Sequence, residues 1–515
     1  MARRRRVITV DLADVWAAPD RKRLVKTVAW GDEVTVVDET SGHVEIEFNR
    51  TVIAPDGSVT SRAESGYIVP RRSASVAASD CVGLRKDHRV LRVNFIDVQQ
   101  GDAAVLETPD GKLVLIDGGE NQLFARYLAA RFPGTSDTKP LPVDAIVVTH
   151  GDADHFSGLT EIHDSESLPD EKKAKRLFIR PDRVFHNGIV KRPSSVDGRS
   201  VPDRELLGPT VSNDRGVFLT GLVDDLRTVA DTDMNREFRA WRDALVAWTD
   251  RQGDSDLEMR ALQFGDDDAF AWIDESELRV EVLGPFRSRV GRTTGLRFLG
   301  TPPDGPRIGH DVVDPLPAEF GGLSASHTIN GHSIILRITF GGFTYLFTGD
   351  LNEEAGRTLA SKHYANELSL MTDVFKVPHH GSADFSGAFL QAAAPIVSVV
   401  SSGDESVAKE YIHPRATLMG ALGRYSRTEE PLVLVTELIA FFRLEGTSEL
   451  TDQAKARKRG EFFAFSRAAF GAVKTRTDGQ RLLVYTDSAN VKLKEAYAYE
   501  LDEHGAPTPS AVTRV

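Results

Sequence analysis

The apolar run Ala145-Ile146-Val147-Val148 passes directly into Thr149-His150-Gly151-Asp152-Ala153-Asp154-His155, with the small turn Ser157-Gly158 just beyond. A short apolar run bounded by turn residues reads as a buried strand. Its end carries four His and Asp side chains within six residues, and groups so closely spaced can converge on one or two divalent cations. The feature restricts the chain to folds that assemble sites in loops at strand ends. It makes a metal-dependent hydrolase the first expectation.

The same texture recurs along the chain. Strands are expected over Val93 to Val98, Ala103 to Glu107 and Leu113 to Ile116, the last two joined by the turn Pro109-Asp110-Gly111, with a helical stretch after Glu120. The loops Gly101-Asp102 and Asp117-Gly118-Gly119 fall at strand ends. A hairpin of Ile334 to Phe340 and Phe343 to Phe347, joined by Gly341-Gly342, delivers Thr348-Gly349-Asp350. A helix near Glu353 to His363 and a strand Val374 to Val377 then lead into Pro378-His379-His380-Gly381-Ser382. After a strand Ile396 to Val400, the loop Ser401-Ser402-Gly403 runs on to Tyr411-Ile412-His413-Pro414. Strands Leu432 to Val435 and Leu482 to Tyr485 are expected to finish the edge of a second sheet. The pattern predicts a layered α/β arrangement.

Two regions depart from this texture. Residues 7 to 70 alternate short β-rich runs with turn signals, which predicts a small all-β module, and Arg71 to Arg85 reads as a linker holding Cys81 as an unremarkable thiol. Between about 160 and 275 runs such as Asp170-Glu171-Lys172-Lys173 and Asp266-Asp267-Asp268 replace the strand pattern, which reads as an insertion. Within it Phe238, Trp241, Leu245 and Trp248 recur at helical spacing, an apolar stripe expected to pack on the main core.

Composition limits the partners. With 515 residues, 41% of them hydrophobic, two or three domains are expected. A formal charge of -13 excludes a surface that coats nucleic acid all over, so any such contact is local. The run Lys455, Arg457, Lys458 and Arg459 offers either a backbone contact or a solvated helix face. One cysteine excludes an internal disulfide framework and Cys-rich zinc sites. Arg3 to Arg6 begin like a signal peptide, but Asp11 and Asp14 interrupt the apolar stretch that follows, and no run reaches the roughly 20 residues that span a bilayer. A cytoplasmic protein without a membrane partner is expected.

Two cations about 4 Å apart can activate water and clamp both oxygens of a phosphodiester, and they need roughly six to eight hard or borderline ligands. The available set is His150, Asp152, Asp154, His155, His332, Asp350, His379, His380 and His413, each at an expected strand end or loop. His186 reads as a turn histidine.

The chain resembles the metallo-β-lactamase superfamily, and within it the soluble hydrolase domain of ComEC-type competence proteins. The resemblance rests on Phe95-Ile96-Asp97-Val98-Gln99-Gln100-Gly101-Asp102, Leu115 to Gly119, Thr149 to His155 with Ser157-Gly158-Leu159, Asn330 with Ser333, Leu346 to Asp350, Lys376 to Ser382, and His413-Pro414. These motifs occur in family order over about residues 91 to 420. The first module, through Val15 to Pro19, Trp30-Gly31-Asp32 and Gly66-Tyr67-Ile68, resembles bacterial SH3-like domains. The implied organisation is an SH3-like barrel at 1–72, a linker at 73–90, and an αββα sandwich over 91–515 with the insertion at about 160–275.

The resemblance also implies roles. His150 and Asp152 would face a first metal, Asp154 and His155 a second, with Asp350 bridging and His380 as the last ligand. His379, Asp97 and Asp117 would orient ligands. His332 stands open between ligand and packing residue. Lys376 and Ser382 would hold a phosphate, and His413 would either protonate the leaving oxygen or form a structural turn. Asp152 stands where the superfamily's second histidine is usual, a harder ligand that shifts preference toward Mn or Mg. The expected cofactors are therefore two divalent ions, Zn or Mn, with Mg a further candidate.

The expected activity is that of a metal-dependent phosphodiesterase, a nuclease acting on DNA, in a defence or stress setting, with a protein partner at the SH3-like module. A small-substrate hydrolase acting on a cyclic nucleotide, phosphocholine ester or lactone is the alternative enzyme. A scaffold with a degenerate metal site is the alternative outside enzymes.

Overall fold

A computed structural model describes residues 3–53, 59–70, 76–251, 256–302, 320–403, 413–439, 441–448, 462–469, 471–488 and 495–515. The basic run at 455–459 and Tyr411-Ile412 lie outside the described residues.

The strand Ala145–Val147 pairs in parallel with Leu113–Ile116, Val114 facing Ala145, and both are buried along their whole length. Burial on both faces is what turns such strands into continuous apolar runs. They lie inside a ten-stranded sheet whose order is Glu258–Ala261, Arg183–His186, Ala145–Val147, Leu113–Ile116, Ala104–Glu107, Leu91–Ile96, Ala472–Thr477, Arg481–Asp487, Ala496–Leu501, Pro507–Ser510. A six-stranded sheet runs Leu278–Gly284, Ile335–Phe340, Phe343–Phe347, Val374–Lys376, Val397–Val400, Leu432–Val435.

One face of each sheet supplies the shared core, where Phe95, Val147 and Val473 meet Ile338, Tyr345 and Phe347. The outer face of the first sheet is covered by helices α1 (Leu123–Arg131), α2 (Ala153–Glu166) and α3 (Arg236–Arg251). A helix α4 (Ala325–Gly331) precedes the hairpin of the second sheet. That sheet's outer face is covered by α5 (Glu353–Tyr364), α6 (Gly387–Ala393) and α7 (Ala416–Tyr425). The molecule is thus an αββα sandwich with a separate N-terminal sheet.

The stretch from 160 to 275 is not a peripheral insertion. Arg183–His186 and Glu258–Ala261 continue the ten-stranded sheet in parallel, and α3 buries Phe238, Trp241, Leu245 and Trp248 against α2. Strands of four residues with charged ends carry too short an apolar signal to be recognised in sequence. The final strands also divide between the sheets: Leu432–Val435 forms the edge of the second, whereas Arg481–Asp487 joins the first.

The N-terminal module is a seven-stranded antiparallel sheet. Val82–Gly83 pairs with Val7 and Ile8, so the expected linker supplies part of this sheet, and Cys81 is fully buried in its core. Burial and the neighbouring Asp80 push the thiol pKa up to about 11, which suits an unreactive packing residue. The chain end returns to the same sheet: Leu12 N donates to Thr513 O at 3.0 Å, Asp14 N to Val515 O at 2.9 Å, and Arg514 pairs with Asp14 at 2.9 Å. The boundaries at 72 and 515 are therefore crossed by short pairings that sequence patterns do not reveal. Among the described residues, no helix is long and apolar enough to cross a membrane.

Candidate metal centre

The loop after Ala145–Val147 places Thr149 and His150 at the sheet edge, and Asp152 is the N-cap of α2. Asp154 and His155 therefore fall in the first helical turn. That turn is fixed by backbone bonds to neighbouring loops: Gly118 N donates to His155 O at 2.7 Å, Asp102 N to Asp154 O at 3.3 Å, and Gly158 N to Gly119 O at 2.8 Å. The approach needs glycine. A Cβ at Gly101, whose φ is +108°, would lie 1.9 Å from Asp154 O, and one at Gly158 would lie 1.9 Å from Gly118 O.

Opposite α2, the Phe343–Phe347 strand ends in Thr348-Gly349-Asp350. Asp350 N donates to Ser333 Oγ at 3.0 Å, and Ser333 Oγ donates to Asn330 O at 2.8 Å. The Pro378-His379-His380-Gly381 turn follows Val374–Lys376 and holds both histidines at positive φ, 49° and 50°. Such conformations are costly for non-glycine residues and recur where structure serves a site.

Four of the expected ligands converge. His380 Nε2 lies 3.3 Å from Asp154 Oδ2 and 3.3 Å from Asp350 Oδ2, and His155 Nε2 lies 3.2 Å from Asp350 Oδ1. Ligand atoms of Asp154, His155, Asp350 and His380 all lie within 4.8 Å of one another. His150 stands beside them, its Nε2 3.9 Å from Asp350 Oδ2 and its ring 4.0 Å from that of His155. The Nε2 atoms of His150, His155 and His380 and Asp350 Oδ1 are buried and make no hydrogen bond. Buried polar atoms facing one another in this way suit a cation between them. The donor set of imidazole nitrogen and carboxylate oxygen fits a divalent ion.

The surroundings orient these groups. His155 Nδ1 lies 2.9 Å from Asp117 Oδ2, and Asp117 also accepts from Thr149 N and Oγ1, each at 2.7 Å. A carboxylate on the far ring nitrogen fixes tautomer and ring plane. His380 Nδ1 lies 3.1 Å from Ser401 O and 3.3 Å from Asp102 Oδ1. Gln100 Nε2 donates to Asp154 Oδ2 at 3.0 Å. Asp97 accepts from Gln99 N at 3.1 Å, which holds the loop carrying Gln100 and Asp102.

The charges follow from these contacts. Burial opposes ionisation of Asp350, but His380, His155 and His379 outweigh it and hold its pKa well below the carboxylate range. Burial likewise opposes charge on His155, yet Asp350 and Asp117 hold its pKa well above the usual imidazole value. His150 moves well below that value, first by burial and then by His155.

Other expected site residues lie elsewhere. His332 Nε2 meets Arg297 O at 2.7 Å, and burial lowers its pKa to about 4. It is a packing residue, because its ring nitrogen is spent on a backbone carbonyl. Lys376 is buried between Asp102, with which it forms an ion pair, and Gly349 O at 3.2 Å. An ammonium already neutralised beneath the site is not placed to hold a phosphate. Ser382 Oγ accepts from Asp384 N at 3.2 Å. His413 sits with its ring 6.0 Å from that of His379, and burial, His379 and His380 lower its pKa to about 4. Burial and its histidine neighbours disfavour the charged imidazole, which does not suit the expected role of protonating a leaving oxygen. His379 lines the rim, 3.8 Å from Asp350. His186 is tied to Asp224 O at 2.9 Å.

Asp152 also departs from expectation. Its Oδ1 accepts from Lys191 Nζ at 2.9 Å, and it lies outside the converging group. Lys191, Asp102 and the pairing of Asp102 with Lys376 were not anticipated. The Gly101-Asp102 motif was the available signal for Asp102, whereas nothing around Lys191 marks it.

Residues 96–231 match the family model described as the metallo-beta-lactamase superfamily. The chain carries a metallo-β-lactamase domain. The domain is similar to competence protein ComA of Neisseria gonorrhoeae, 41% identical over 86 residues, which is 16% of this chain and 12% of that protein. It is also similar to ComE operon protein 3 of Bacillus subtilis (strain 168), 33% identical over 98 residues, 19% of this chain and 12% of that protein. The chain therefore matches only a small part of these relatives' length. Among solved structures, CmlA, a diiron beta-hydroxylase from Streptomyces venezuelae, is 13% identical over 67% of this chain and 52% of that one, with a TM-score of 0.27. A likeness that low says nothing of chemistry.

Proposed function

We propose that the metallo-β-lactamase domain is a metal-dependent phosphodiesterase that cleaves DNA. The observation that carries the reading is the convergence of Asp154, His155, Asp350 and His380, with buried imidazole nitrogens left without hydrogen bonds. The likeness to two competence proteins supports nucleic acid as the substrate class. A divalent ion bound there would lower the pKa of water toward neutrality and polarise a phosphoryl oxygen.

The chain's own residues do the rest. Asp117 keeps the Nε2 atom of His155 turned into the site and Ser401 O, with Asp102 beside it, does the same for His380, since each meets the opposite ring nitrogen. Thr149 and Ser333 are buried beside the ligands. His413 and His379 stand together at the rim of the site, their rings 6.0 Å apart, where a proton has to leave as water attacks.

Chelation should destabilise the fold. An ion at about 100 times its Kd adds roughly 2.7 kcal/mol, so EDTA should lower the thermal midpoint by roughly 3 °C in a domain of several hundred residues, whose unfolding entropy is large. Differential scanning fluorimetry with and without added Mn checks this, and an unchanged midpoint would count against a built metal site.

The activity itself is tested with purified protein and Mn, Mg or Zn, using linear and circular DNA, RNA and cyclic dinucleotides, beside Asp154→Ala. Cleavage of DNA that the variant lacks is expected. Cleavage only of cyclic dinucleotides would transfer the site to a small substrate, and no cleavage with any metal would remove the phosphodiesterase reading.

A further inference from the structure

Asp152 stands at the N-cap of α2, one helical step from the converging ligands, yet both of its oxygens are engaged elsewhere. Oδ1 accepts from Lys191 Nζ at 2.9 Å. Oδ2 faces the Asn330 side-chain amide, which, turned so that its nitrogen points at the carboxylate, donates to Oδ2 at 2.9 Å and to Ser326 O at 3.2 Å. The ion pair is largely sheltered, with side-chain exposures of 34% for Lys191 and 20% for Asp152.

Lys191 is held in place on both sides. Asn235 N donates to Lys191 O and Arg192 N to Leu206 O, each at 2.8 Å. Four residues earlier, Asn187 Nδ2 donates to His332 O at 3.0 Å, which ties this segment to the C-terminal end of α4, where Asn330 lies. The ammonium is therefore delivered by an anchored backbone.

The carboxylates divide accordingly. Asp152 is paired with Lys191 and Asp102 with Lys376, and Asp117 and Asp102 lie on the Nδ1 side of the rings, which leaves Asp154 and Asp350 as the carboxylates facing the Nε2 atoms of His155 and His380. Two carboxylates neutralise one divalent ion. A second ion between His150 and Asp152 would have to displace Lys191 or sit against its positive charge.

We propose that the Lys191 ammonium, locked onto Asp152, takes the place of a second cation, so that this chain holds a single tightly bound divalent ion between Asp154, His155, Asp350 and His380. Asp152 then acts as the seat of Lys191 and not as a ligand, and His150 lines the site without completing a second one. The inference rests on the metal site of the preceding section and is independent of the substrate assigned there.

The test is metal stoichiometry on the full chain, stripped with EDTA, titrated calorimetrically with Mn(II), and measured by mass spectrometry of the metal after desalting. Wild type is expected to bind one ion. Lys191→Met, which removes the charge and keeps the stem, is expected to bind two, because Asp152 regains a free oxygen beside His150. Asp152→Asn is expected to remain at one ion with Kd changed by less than about threefold, since Asp152 is not among the four converging ligands; this variant decides the question even where Lys191→Met fails to fold. Two ions on wild type, one ion on a folded Lys191→Met, or loss of the ion in Asp152→Asn would each overturn the proposal. Absence of any bound metal on wild type would overturn the metal site itself, a failure distinct from a change in count, and DNA cleavage plays no part in either readout.

Discussion

Asp350→Ala should lower hydrolysis by about a thousandfold, equivalent to roughly 4 kcal/mol of transition-state stabilisation, and weaken metal binding at least about 100-fold, beyond what loss of an orienting partner costs. Among the described residues, Asp350 is the one carboxylate within 4 Å of these four imidazoles: 3.2 Å from His155, 3.3 Å from His380, 3.8 Å from His379 and 3.9 Å from His150. Its backbone is held independently by Ser333 Oγ, so truncation removes the charge without releasing the loop. The folded variant is expected to retain its secondary structure by circular dichroism. Hydrolysis within tenfold of wild type would show that the reacting centre lies elsewhere.

The second large effect is structural. In most helices Gly→Ala stabilises by up to about 1 kcal/mol, and Gly158 lies in the interior of α2. Here the sign should reverse. A Cβ at this position would meet Gly118 O at 1.9 Å and Asn121 O at 2.8 Å, both backbone atoms that cannot swing aside. Gly158→Ala should therefore cost about 1–3 kcal/mol or more, read from the urea midpoint. The shift would also move the first turn of α2 against the loops that seat it. Because a displacement of about 1 Å can cost on the order of a hundredfold in rate, the surviving folded fraction should be impaired as well. A variant more stable than wild type would show that α2 does not press on the Gly118 loop.

The parts of this site that sequence revealed are those written contiguously. His150 to His155 announce themselves because a strand end and a helix start enclose them, and Asp350 and His380 because each follows a buried strand by a few residues. The layered α/β character was legible for the same reason, since Leu113–Ile116 and Ala145–Val147 are continuously apolar and the hairpin Ile335–Phe340 with Phe343–Phe347 is mostly so, whereas the αββα order came from the family resemblance. What stayed hidden depends on pairing. Arg183–His186 and Glu258–Ala261 are strands only because neighbours complete them, and the tail at 512–515 is fixed by distant residues, among them Asp11, Leu12 and Asp14. His332 and Lys376 were misread because type and position at a strand end do not say where a side chain is spent. Arg297 O takes the first, while Asp102 and Gly349 take the second. Lys191 had no local signal at all, since its meaning comes from Asp152, 39 residues away.

The central claim is that Asp154, His155, Asp350 and His380 surround a divalent ion. Crystals of the protein grown with Mn(II), measured at the Mn absorption edge, test it most directly. An anomalous peak within about 2.0–2.3 Å of His155 Nε2, His380 Nε2 and oxygens of Asp154 and Asp350 is predicted, as expected for nitrogen and oxygen ligation. No peak among these four side chains, with Mn bound elsewhere on the protein or not at all, would contradict the account.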